Sequence, residues 1–142
     1  MRQIKLNPKK YSHAQNIWFF RLSIRVEDIE PGNIYYHYCK RICSDHPKYH
    51  IFLREGFFLL INSDYSCESV EVKESDYSFL KYNSYICCGS LFQYSKTTVI
   101  NSDSVGKLLG PTISELIETV PKDDVLPDEH KDIIIEHLNE ML

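Results

Sequence analysis

The run Phe57-Phe58-Leu59-Leu60-Ile61 constrains this chain more than any other stretch. It is a continuous apolar block of aromatic and branched residues, with Gly56 before it and Asn62-Ser63-Asp64 after it. A block of that length between turn residues reads as a central strand buried on both faces. A second apolar run, His50–Leu53, precedes it across the polar turn Arg54-Glu55-Gly56, so the two are expected as hairpin neighbours. The polar residues just outside the pair, Lys48 before and Asn62-Ser63 after, are where such a sheet would present chemistry.

More strands are expected around this pair. Glu30-Pro31-Gly32-Asn33 is a turn, and Ile34–Cys39 after it has strand composition. Val70 and Val72 alternate with charged residues, as in a short exposed strand. Ser84–Tyr94 is strand-like, with Gly89 at a bulge or bend, and Thr97–Ile100 is another short strand. About six short strands between residues 32 and 100 give the pattern of a small barrel or sandwich.

Both ends of the chain read differently. Ser12-His13-Ala14-Gln15 has a capping-box pattern, which favours a helix from residue 12; residues 22–26 stay open between helix and strand. Near the other end, Gly106–Gly110 reads as a turn. Pro111–Val120 then has apolar residues at helical spacing, with Thr112 as a candidate cap. Pro121 stops that helix. Pro127 suits the first position of a last helix, Asp128–Met141, whose stripe is Ile133, Ile134, Ile135, Leu138, Met141 and Leu142. The expected fold is therefore α+β, mainly β. It is a single domain with an N-terminal segment over 1–30, a small barrel of five or six short strands over 31–104, and two helices over 105–142.

Hydrophobic residues make up 43% of the 142, enough for one core, so disorder is not expected beyond the first few residues. No apolar run approaches a membrane span, and no signal region opens the chain. Five cysteines, an odd number, fit a reducing cytoplasm better than a disulfide framework. The net charge of −4 decides nothing about partners, but the first 54 residues are mostly basic and the last third is acidic. A basic half can face a polyanion; two solvated faces of opposite sign explain the same pattern.

At this level the chain resembles the PemK/MazF-like toxin family, over about residues 31–120. Pro31-Gly32-Asn33-Ile34-Tyr35 is similar to that family's opening Gly-Asp-Ile strand. Lys48–Leu53 resembles its second strand, which usually begins Arg-Pro, and Leu60-Ile61-Asn62-Ser63 its third, which usually ends Ile-Thr-Ser. Ser84-Tyr85-Ile86 and Val105-Gly106-Lys107-Leu108 resemble a later strand and the Gly-Arg-Leu before the C-terminal helix. The resemblance implies an SH3-like barrel that binds single-stranded RNA and cleaves it without a metal or other cofactor. It also implies a cognate antitoxin as partner, and it admits a homodimer.

Carried over by position, the resemblance implies that Lys48 holds the phosphate and that Asn62 or Ser63 donates to its oxygen. The loop with Lys40 and Arg41 would cover the RNA. Two departures affect the chemistry. A lysine cannot clamp phosphate bidentately as arginine does, and Asn62 replaces a hydroxyl. His46 or His50 is then the candidate titrating group, and strand alternation puts Lys48 and His50 on one face. The plainer readings are a solvated lysine at a strand edge and a strand-capping turn at Asn62-Ser63.

Other constellations carry less. Cys39, Cys43, His46 and His50 are zinc-ligand types, but their spacing is not that of a standard finger. Adjacent Cys87 and Cys88 must point to opposite sides of a strand and read as packing residues. The many tyrosines can stack on bases, although each alone is an ordinary half-buried strand residue. The alternative to an RNA-directed protein is a non-catalytic barrel module that binds a protein partner.

Overall fold

The computed structural model describes residues 23–42, 45–65 and 67–142. The helix expected from Ser12 lies outside them, as does Cys43. Among the described residues the fold is α+β and mainly β, with nine short strands in curled antiparallel sheets and two C-terminal helices.

The strands are β1 (Ser23–Arg25), β2 (Asn33–His37), β3 (Lys48–Phe52), β4 (Phe57–Asn62), β5 (Ser69–Val72), β6 (Ser84–Cys87), β7 (Phe92–Gln93), β8 (Val99–Asn101) and β9 (Ser104–Lys107). The main sheet runs β5-β6-β4-β3-β2-β9, with β7 also on β4; β1 and β8 pair separately. The expected hairpin is present, as β3 pairs antiparallel with β4 in the register Tyr49↔Ile61 and Phe52↔Phe58. Its turn is tight. Glu55 and Gly56 take φ of 59° and 79°, and a Cβ on Gly56 would lie 2.5 Å from the Tyr94 carbonyl oxygen. Only glycine fits there.

The central block is buried on both faces, as its composition requires. Leu59 and Ile61 point into one core with Ile34, Ile51, Ile86, Leu116, Ile134 and Leu138. Phe58 and Leu60 point into the other, with Val26, Tyr35, Phe52, Tyr94 and Ile100. The helices therefore cover one side of the sheet, and β1 and β8 cover the other. On β5 the expected alternation holds, with Val70 and Val72 buried and Glu71 exposed.

Local chemistry corrects several sequence expectations. Of residues 22–26, left open, those described, 23–26, give strand β1 and then a 3-10 turn from Val26. Ser84–Tyr94 is two strands, parted by a break that includes Gly89, and strand β9 runs through Gly106 and Lys107, the start of the stretch expected as a turn. The first helix, α1 (Gly110–Thr119), is capped by Leu109 and not by Thr112. The Thr112 hydroxyl instead bonds the Tyr77 hydroxyl at 2.6 Å, and that same Tyr77 oxygen accepts the Leu109 N–H at 3.0 Å. A tyrosine from outside the helix thus satisfies one of its orphan amides. Pro127 is the cap of α2 (Asp128–Glu140), not its first residue. In the α2 stripe Ile134 and Leu138 are buried, with His137 beside them, while Leu142 is exposed.

The link between the helices rests on Asp123, which is buried. Its Oδ2 accepts the N–H groups of Val125 (2.9 Å) and Leu126 (2.6 Å), and its carbonyl accepts from Lys131 Nζ at 2.6 Å. Asp123→Ala leaves two amides without that acceptor. Chemical denaturation is expected to show a loss of about 2 kcal/mol. A change below about 0.5 kcal/mol would mean that water replaces the carboxylate.

Candidate functional site

The β3–β4 register places Lys48 directly opposite Asn62 at the open end of the hairpin, one step beyond the Tyr49↔Ile61 pair. The two side chains meet: Lys48 Nζ donates to Asn62 Oδ1 at 2.9 Å. They lie in the wall of a cavity of about 150 Å³, with Ser63, His46 and Pro47 beside them. Tyr36 from β2 and Tyr49 from β3 pack ring against ring, 4.6 Å between centroids, to form another wall. The connection between β5 and β6 brings Lys81 and Tyr82, and Ser84 follows at the start of β6.

The arrangement combines cations, neutral donors and aromatic surface. With its oxygen engaged by Lys48, the Asn62 amide has its NH₂ left to donate outward. The Ser63 hydroxyl is exposed beside it. Tyr36 and Tyr82 are 44% and 56% exposed, so both keep ring surface within reach of a planar partner, although Tyr36 has one side against Tyr49. His46 is also exposed; its Nε2 lies 3.6 Å from Asp45 and its Nδ1 3.0 Å from the Pro47 carbonyl.

His50 is placed elsewhere. It shares a face with Lys48, as alternation requires, but that face is core at position 50 and the ring is fully buried. Nδ1 lies 2.8 Å from the Lys48 carbonyl, which can only accept, so Nδ1 carries the proton. Nε2 faces the Tyr94 hydroxyl at 3.3 Å. Burial pushes the imidazole down to about 4; nearby His37 and Lys48 add to this, while the bond to the Lys48 carbonyl opposes it. His50 does not line the cavity.

Lys40 and Arg41 do not line it either. Arg41 turns toward the second core, with its Cζ 6.0 Å from the centre of the Tyr94 ring and its Nη2 3.5 Å from the Gln93 carbonyl. Cys39 joins that group. Burial raises its thiol, but hydrogen bonds from Tyr94 and from Arg41 outweigh burial and hold it below the ordinary thiol value.

The chain matches no family model, no curated protein and no solved structure. The site must therefore be weighed on its own geometry. A larger cavity of about 410 Å³ lies between the Glu30–Gly32 turn and the end of α2. Its cations are already neutralised, Arg54 by Glu140 at 2.7 Å and Lys107 by Glu30. Lys48, in contrast, is held by a neutral amide, which keeps its charge available to an anion.

Of the residues singled out in the sequence, Lys48, Asn62, Ser63 and His46 come together, while His50, Lys40 and Arg41 lie apart from them. Cys39 and His50 of the zinc-type constellation are committed to Tyr94. Among the described residues no group of three or more His, Cys, Asp or Glu could hold a metal. Sequence reasoning gave no role to Lys81 and no specific one to Tyr36 or Tyr82. The signal for Tyr36 was available: it stands opposite Tyr49 in an antiparallel pair. For Lys81 and Tyr82 no periodic signal exists, because they lie on an irregular connection.

Proposed function

We propose that this chain is a PemK/MazF-like protein that binds single-stranded RNA in the Lys48–Asn62 cavity, and that metal-free cleavage of that RNA is its activity. The observation that carries the reading is the convergence of Lys48, Asn62, Ser63 and His46 on one cavity rimmed by exposed tyrosines. Lys48 and Lys81 would supply charge to a phosphate, and the Asn62 amide and Ser63 hydroxyl would donate to its oxygens. Tyr36 and Tyr82 would stack unpaired bases. In cleavage the 2′-oxygen attacks its own phosphorus and the 5′-oxygen leaves with a proton. His46, the histidine of this cavity, is the group placed to move protons. The reading includes a cytoplasmic protein with a cognate antitoxin, and a homodimer as its assembly.

The test is binding and cleavage of a fluorescent single-stranded RNA oligomer by the full chain, with Lys48→Ala, Ser63→Ala and His46→Ala beside it. Lys48→Ala is expected to weaken binding about tenfold at low salt and to flatten its salt dependence. His46→Ala is expected to slow the appearance of cyclic-phosphate ends by about a hundredfold with little change in binding. RNA bound but never cut would reduce the assignment to an RNA-binding protein. If RNA is neither bound nor cut, the protein-binding module becomes the better account, with the exposed Tyr36 and Tyr82 of the cavity as its first contact residues.

A further inference from the structure

Sequence order pairs Cys87 with Cys88, but the fold pairs it with Cys67. The β5–β6 register sets Ser69 opposite Cys87. Cys67 lies two residues before Ser69 and so falls on the same face of the hairpin, diagonal to Cys87. Diagonal side chains normally stand too far apart to touch when short. Here Gly89 opens the space. A Cβ at that position would lie 3.5 Å from Cys67 Cβ and 3.6 Å from its sulfur. With no side chain at 89, Cys67 leans across, and its sulfur lies 2.8 Å from that of Cys87. Cys88 faces the other way, wholly buried, with its thiol pushed up to about 12 chiefly by burial.

We propose that Cys67 and Cys87 are a redox pair that closes to an intramolecular disulfide, with an oxidised low-molecular-weight disulfide such as glutathione disulfide as the oxidant. The proposal is independent of any RNA-directed activity. The sulfurs need approach by only about 0.8 Å to reach bonding distance. The Cys67 thiolate attacks one sulfur of the oxidant and releases one glutathione thiolate. The Cys87 thiolate then attacks the Cys67 sulfur of the mixed disulfide and releases the second glutathione. The protein gives up two protons and two electrons, and the oxidant becomes two thiols.

Both cysteines are half-buried; Cys87 sits on β6 and Cys67 just before β5, and with the sulfurs already in contact the bond closes by a small shift at Cys67. It has a mechanical consequence. The bridged segment, residues 67 to 87, contains the connection that carries Leu80, Lys81, Tyr82 and Ser84 to the cavity. Oxidation fixes both ends of that wall and ties edge strand β5 to β6.

The test uses the full chain equilibrated over a range of glutathione to glutathione disulfide ratios, trapped with a thiol-alkylating reagent, and read by intact mass and non-reducing peptide mapping. Two thiols are expected to disappear together, with one cross-link. The bridge is expected to survive in Cys88→Ala and Cys39→Ser and to vanish in Cys67→Ala and Cys87→Ala. The oxidised protein is expected to melt about 5–10 °C above the reduced one. A bridge lost in Cys88→Ala, a bridge retained in Cys87→Ala, or four free thiols besides Cys43 under the most oxidising ratio would each overturn the proposal.

Discussion

Phe58→Ala is expected to cost about 4 kcal/mol, a loss at the upper end for a single truncation. The side chain is fully buried at the centre of an aromatic cluster. Its ring lies 4.6 Å from that of His50, 4.7 Å from Tyr94, 5.5 Å from Phe92 and 5.7 Å from Phe52. These neighbours belong to β3, to β7 and to the residue just after β7, and β4 is bonded to both strands. The strands cannot close in on the space without breaking their ladders, so the void persists. A domain of this size has a total stability of about 5–15 kcal/mol, and the variant is therefore expected to sit near the edge of folding. Urea denaturation of the variant beside Leu109→Ala, at an exposed position, checks this. A loss under about 1.5 kcal/mol would show that the second core relaxes far more than its ladders suggest.

The same cluster marks how far the sequence could be read. Phe57–Ile61 was legible because a continuous apolar block admits few alternatives, and the structure indeed gives it a core on each side. The α2 stripe and the Val70/Val72 alternation were legible for the same reason: burial writes its period into the chain. β7 and β9 were not. Phe92–Gln93 is a strand only because β4 offers it partners, and Ser104–Lys107, a polar run with a glycine, only because β2 does. Such strands come from pairing across long sequence separations and not from local composition.

The candidate site divides along the same line. Lys48 opposite Asn62 follows from a hairpin whose turn is written at Arg54-Glu55-Gly56. Alternation also put His50 on the face of Lys48, and it does lie there. What alternation could not give is depth along the strand. A lysine at the rim reaches outward over its long stem, whereas an imidazole two residues further in has no such reach and stays in the core. Cys67 facing Cys87 needed both the β5–β6 register and the empty space at Gly89, and neither can be read from residues 67 and 87 alone.

The depth of His50 has a measurable consequence in acid. As pH falls from 6.5 to about 4, the fold is expected to lose roughly 3 kcal/mol through this one group. Burial is the main cause of its lowered value of about 4. Above pH 6.5 the imidazole is neutral folded or unfolded, and it adds no pH dependence. Below that point the unfolded chain takes up a proton that the folded one refuses, so stability falls with a slope of up to about 1.4 kcal/mol per pH unit. The loss is complete once pH passes below the folded value. His37, with its ring 5.7 Å away and its own value lowered by burial, acts in the same direction. Denaturation curves at pH 7, 5.5 and 4.5 for the wild type and His50→Gln separate the two. The variant starts lower, having lost the ring contacts with Phe58, but its profile is expected to be flatter by most of that slope. An NMR titration in which the His50 ring protons shift near pH 6.5 would sink the argument. The added proton goes to Nε2, against the Tyr94 hydroxyl, and leaves the Nδ1–H bond to the Lys48 carbonyl in place.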